Sequence, residues 1–114
     1  MKKVLVLGGG GFIGRNITEF LVKRGDCFVV SADINEGSNW NELALNYPTV
    51  FKSVLDDFSY AKAFKNLGSG FDEIYMLAAV VGVNRTLKNP AEVINTNTKL
   101  TLNVLDWITC NPVN

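Results

Sequence analysis

Apolar positions along the chain fall into two alternating kinds of segment. Residues 3–7 form a short Val/Leu run that stops at Gly8. Ile13, Ile17, Phe20, Leu21 and Arg24 then recur at helical spacing, and Gly25 follows as a stop signal. Residues 28–32 read as a second buried strand. Trp40, Leu43, Ala44 and Tyr47 mark a short amphipathic helix that Pro48 ends. Residues 50–54 read as a third strand. Tyr60, Ala63, Phe64 and Leu67 mark another helix, closed by Gly68, and residues 73–78 read as a fourth strand. The last helix has the fullest start signal: Asn89 as cap, Pro90 in first position and Glu92 as a capping-box acid. Val93, Asn97, Leu100, Val104 and Leu105 are expected to share its inner face. Four strand–helix units in this order predict an α/β fold. Its parallel sheet is covered on both faces, because the strands are continuously apolar rather than alternating.

Composition narrows the class. The chain has 11 Lys+Arg and 11 Asp+Glu, so a net charge of zero gives no electrostatic reason to expect a nucleic-acid partner. The longest apolar run, residues 74–83, is too short to span a bilayer, and no signal-peptide pattern precedes the first strand. A cytoplasmic location is expected. There is no histidine, which excludes a Ser-His-Asp triad and a histidine-bearing zinc site within the chain. Cys27 and Cys110 read as two partly buried free thiols rather than a disulfide framework. No metal ligand set is expected. Trp40 and Trp107 read as packing residues, and Lys88 and Lys99 as surface charges.

The candidate chemistry lies between the first strand and the first helix, at Gly8-Gly9-Gly10-Gly11-Phe12-Ile13-Gly14. Glycines at 8, 11 and 14 suit a sharp turn, a close approach of pyrophosphate to bare backbone, and tight helix–strand packing, in that order. The helix then aims free N–H groups, those of Phe12 and Ile13 among them, at the phosphates. Gly9 to Gly14 also satisfies G-x-G-x-x-G, so the glycines alone do not choose the register. Asp33 lies 19 residues beyond Gly14, the offset expected for a carboxylate that accepts from adenosine ribose hydroxyls. A carboxylate there repels a 2′-phosphate, which favours NAD over NADP. A phosphate-loop NTPase is disfavoured, because Arg15-Asn16 stands where Lys-Ser/Thr is required.

These residues resemble the extended short-chain dehydrogenase/reductase family, in particular its NAD-dependent nucleotide-sugar epimerases and dehydratases. The glycine segment resembles that family's motif and favours the Gly8/Gly11/Gly14 register. Asp33 with Asn35 resembles its adenosine-ribose site, and Leu77-Ala78-Ala79 its segment beside the nicotinamide. Asn89-Pro90, Asn97 and Asn103 match its fourth helix, where Asn97 is implied to support the active site. The resemblance runs from about Lys2 to Trp107. It implies a Rossmann-type doubly wound sheet ending after the fourth strand–helix unit, NAD as cofactor and a nucleotide-sugar substrate. The implied reaction begins with oxidation of a sugar hydroxyl, the hydride passing from its carbon to NAD.

Two departures from the family pattern stand out. The family's aspartate at the end of the third strand, which bonds the adenine amino group, is matched by Ser53, with Val54 beside it. Asp56-Asp57 match a later acid of that motif, with Asp57 as a helix cap. No Tyr-x-x-x-Lys pair exists: Tyr47, Tyr60 and Tyr75 are followed at +4 by Phe51, Phe64 and Ala79. No catalytic residue is therefore assigned, and the isolated chain is expected to be inactive. In the family a fifth strand follows the fourth helix, so the fourth strand would here be left with an open edge that favours self-association or a homo-oligomer. The rival readings are a non-catalytic dinucleotide-binding or sensor module and an NADP-dependent reductase. The loop 80–85 is expected to face cofactor and substrate, with Arg85 as a solvated side chain.

Overall fold

A computed structural model of the chain describes residues 1–79 and 87–114. The loop 80–85 and Arg85 lie outside the described residues. Four parallel strands form one sheet in the order β3-β2-β1-β4: β1 (Lys2–Leu7), β2 (Cys27–Asp33), β3 (Phe51–Leu55) and β4 (Glu73–Met76). Helix α1 (Phe12–Arg24) connects β1 to β2, and α2 (Trp40–Asn46) connects β2 to β3. A 3₁₀ helix (Ala61–Asn66) precedes β4, and the long α3 (Pro90–Cys110) follows it. This is the doubly wound parallel arrangement that the alternating pattern predicts.

Alternate side chains of each strand enter two cores. Val4, Val6, Cys27 and Val29 pack with Leu21 and Val22 of α1 and with Trp40 and Leu43 of α2. Leu5, Leu7, Val30, Ala32 and Val54 pack on the opposite face with Phe64 of the 3₁₀ helix and Leu100 and Val104 of α3. Because β1 is covered on both faces, Val4 to Leu7 are fully buried. Trp107 packs between Phe64 and Phe71, with ring centroids 5.7 Å from each. Both tryptophans are thus packing residues, since Trp40 is also buried.

Several local expectations shift. The third connection is 3₁₀ rather than α, a form suited to a stretch this short. On α1 the buried residues are Gly14, Thr18, Leu21 and Val22, whereas Ile13 and Phe20 are exposed. Thr18 explains the rotation, because its buried hydroxyl bonds the Gly14 carbonyl at 2.8 Å and needs no water. On α3 Leu105 is exposed, while Val93, Leu100 and Val104 form the inner face. Asn89 precedes α3 as expected, but its side chain makes no capping bond. Cys27 is buried and Cys110 is exposed. Burial pushes the Cys27 thiol up from its usual range, so it stays protonated at neutral pH.

The start of β4 is fastened by Asp72. Its carboxylate accepts from the Lys3 N–H at 2.8 Å and from the Asn114 side chain at 3.2 Å, which holds it below the usual carboxylate range. The Asn114 N–H also donates to the Phe71 carbonyl at 3.0 Å. Among the described residues β4 pairs with β1 alone, so its other edge is open.

Candidate cofactor cleft

The carboxyl ends of β1, β2 and β4 open onto a cleft of about 990 Å³. A crevice at this end of an open parallel sheet is where such folds bind ligands. The glycine turn forms its floor. Gly8 leaves β1 with φ +96°, a conformation that L side chains rarely adopt. Its backbone lies directly on the chain just past β4: a Cβ here would stand 2.5 Å from the Ala78 nitrogen. Gly14, in the first turn of α1, sits on the Gly8 carbonyl oxygen, and a Cβ there would overlap that oxygen. Gly11 is different. A Cβ on it would meet nothing nearer than the Gly8 oxygen at 3.6 Å, so its bare Cα faces open space.

The left-handed φ falls on Gly8, while Gly9 and Gly10 are also too closely packed for a Cβ. The Gly8 and Gly11 backbones close the turn through a 3.2 Å bond from Gly11 N–H to Gly8 carbonyl, and Arg15 N–H donates to the Gly11 carbonyl at 2.9 Å. The N–H groups of Phe12, Ile13 and Gly14 have no partner among the described residues. Three unsatisfied donors and the positive end of the helix dipole therefore address the cleft together. The side chains of Phe12 and Ile13 are exposed around them.

Asp33 stands at the end of β2 beside this turn. One carboxylate oxygen, Oδ2, accepts from the Gly10 N–H at 2.9 Å. The other, Oδ1, accepts from the Ile34 N–H at 2.7 Å and the Asn35 N–H at 3.3 Å. These bonds fix the carboxylate at the rim, and its remaining lone pairs can still accept. Asn35 lines the same rim, and Leu77, Ala78 and Ala79 line the β4 side. Thus Gly8, Gly11, Phe12, Ile13, Gly14, Asp33, Asn35, Leu77, Ala78 and Ala79 border one cleft.

Ser53, Val54 and Asn97 do not border it. Ser53 is exposed within β3, and Val54 is buried in the core against Phe58. The register explains their distance from the cleft: Leu55, not Ser53, pairs with Asp33. The cleft is lined instead by Asp57, Phe58 and Ser59, just past the strand. Asp57 accepts from the Ser59 hydroxyl at 2.6 Å and N–H at 3.0 Å, and so shapes this corner rather than capping a helix. Phe58 is held from behind by the Asn103 side chain, which donates to its carbonyl at 3.1 Å. The acidic pair after the third apolar run was the available signal for this wall. Asn97 is half-buried on α3, and its carbonyl accepts from the Thr101 hydroxyl. Lys88, Asn89, Glu92 and Thr96 form the far wall, so Lys88 is exposed yet borders the cleft. Among the described residues, no three acidic or sulfur side chains converge on a point that could hold a metal ion.

Residues 4–114 match the model of the NAD dependent epimerase/dehydratase family, and the chain belongs to that family. It is 36% identical over 106 residues to UDP-N-acetyl-alpha-D-glucosaminuronate decarboxylase of Bacillus cytotoxicus, covering 91% of this chain and 32% of that protein. Its fold superposes on the UDP-Glc/GlcNAc 4-epimerase of Campylobacter jejuni with a TM-score of 0.82 at 28% identity, over 100% of this chain and 35% of that one. It also matches Thermus thermophilus UDP-glucose 4-epimerase in complex with NAD (TM-score 0.72, 26% identity, 93% of this chain and 33% of that one). The chain therefore spans about a third of the length of these relatives. No helix among the described residues is long and apolar enough to cross a membrane.

The two helix-side glycines separate folding from binding. Gly14→Ala is expected to destabilise the chain by about 1–3 kcal/mol, because its methyl group meets backbone rather than a yielding side chain. Gly11→Ala is expected to unfold within a few degrees of the parent while losing affinity for a pyrophosphate ligand such as ADP. Thermal unfolding and calorimetric titration of both variants check this. Equal stability loss in the two would contradict the assignment.

Proposed function

We propose that residues 1–114 form the NAD-binding, Rossmann-type part of a nucleotide-sugar-converting enzyme of the epimerase/dehydratase class. The observation that carries this reading is the convergence on one cleft of the Asp33 carboxylate with three N–H groups at the start of α1 that have no partner among the described residues. The donors fit a diphosphate, and the bare Gly11 leaves room for it to approach. Asp33 fits the adenosine ribose diol as an acceptor that is already oriented. Asp57 borders the cleft where Ser53 and Val54 do not, and offers a carboxylate for the adenine amino group. Leu77, Ala78 and Ala79 offer small and apolar groups to the nicotinamide end.

When bound, NAD supplies the hydride acceptor for oxidation of a sugar hydroxyl. The contribution of this chain is orientation and exclusion of water. Its tyrosines carry no lysine at +4, so the proton-transferring pair is not among its residues. The isolated chain should bind the adenosine-diphosphate half and turn nothing over. The open edge of β4, Glu73–Met76, is suited to a further parallel strand.

Two measurements test the reading. Calorimetry should show tighter binding of NAD than of NADP, because Asp33 repels a 2′-phosphate; tighter NADP binding would refute the ribose assignment. Sedimentation of the isolated chain should show self-association through the β4 edge, and a stable, monodisperse monomer would refute that role for the edge.

A further inference from the structure

Thr18 and Ser31 are the two fully buried polar side chains among the described residues, and both lie directly behind the glycine turn. Ser31 is in the middle of β2, where the sequence pattern calls for an apolar residue. Its Oγ accepts the indole N–H of Trp40 at 3.0 Å and stands 3.4 Å from the Thr18 hydroxyl. Thr18 Oγ1 lies 2.8 Å from the Gly14 carbonyl. Each hydroxyl has one proton to give. The arrangement that satisfies all three groups runs one way: indole N–H to Ser31, Ser31 hydroxyl to Thr18, Thr18 hydroxyl to the Gly14 carbonyl. Ser31 also touches the turn directly, since a Cβ on Gly9 would overlap its Oγ.

The same stretch of chain braces α1 from outside. The Asn39 side chain donates to the Arg15 carbonyl at 3.1 Å, and the Arg15 guanidinium donates to the Ser38 hydroxyl at 2.9 Å. Gly37 packs against the Trp40 indole, where a Cβ would stand 2.6 Å from Nε1. The segment 37–40 follows Asp33 and its rim, so it joins the ribose side of the cleft to the phosphate side.

We infer that Trp40, Ser31 and Thr18 are positioning residues: a buried hydrogen-bond relay that fixes the direction of the N–H groups of α1 toward the diphosphate. The inference rests on the cofactor reading above. Burying two hydroxyls in an apolar core gains little stability, because similar apolar side chains in their place can be neutral or better. What the relay adds is direction, since it terminates on the carbonyl of the helix's first turn.

The test uses the full chain and two probes, ADP and adenosine, titrated calorimetrically against the parent, Ser31→Ala, Thr18→Val, Thr18→Ser and Trp40→Phe. Thr18→Val deletes a hydrogen-bonding group with little change of shape, and Trp40→Phe deletes the indole N–H together with the ring edge that Gly37 packs on. Each is expected to retain cooperative unfolding and to weaken ADP about tenfold while changing adenosine less than about twofold. Thr18→Ser should restore ADP affinity, because it returns the hydroxyl. Unchanged ADP binding in Thr18→Val and Trp40→Phe would overturn the inference while leaving the cofactor reading intact. Equal losses for both probes would reduce the relay to a general stabilising role and also overturn it. A parent chain that binds neither probe would overturn both readings.

Discussion

The contact of Gly14 with the Gly8 carbonyl is the constraint on which the site depends. It sets how closely α1 returns to β1, and no residue with a side chain fits there without moving backbone. Because the helix starts this close to the sheet, its first donors face the crevice at the carboxyl ends of the strands. Gly8 adds the turn, at a φ that an L side chain would resist, and its packing on Leu77 and Ala78 joins the turn to β4. Strand, turn, helix and the neighbouring strand thus form one rigid unit. A crevice built from such backbone presents N–H donors without a charged side chain on the loop itself.

Much of this was legible in the chain. The alternation of apolar runs with helical spacing gives four strands and the doubly wound order, because strands buried on both faces cannot alternate. The positions of Gly8, Gly11, Gly14 and Asp33 at one cleft are legible because they depend on local geometry and a fixed chain offset. Ser31 falls inside the apolar run 28–32, but Thr18 was not legible as core, since hydropathy treats a hydroxyl as a surface group and cannot see the partner that satisfies it. Apolar spacing alone therefore does not separate the exposed Ile13 and Phe20 from the buried Leu21.

The wall just past β3 shows a different limit. Ser53 and Val54 were placed by counting along the chain, whereas position at the cleft depends on the parallel register between β2 and β3. That register pairs Asp33 with Leu55 and carries Asp57 and Phe58 to the rim. Register is a tertiary property, fixed by which side chains fill the core beneath each strand. Val54 packs in the core with Phe58 and Phe64 and does not border the cleft.

The central claim is that backbone donors of α1 hold a diphosphate. The direct measurement is an amide nuclear magnetic resonance titration of the chain with NAD. The largest shifts should fall on Phe12, Ile13 and Gly14, with smaller ones at Asp33 and Asn35. Saturable binding whose shifts miss the start of α1 and gather elsewhere would contradict the account.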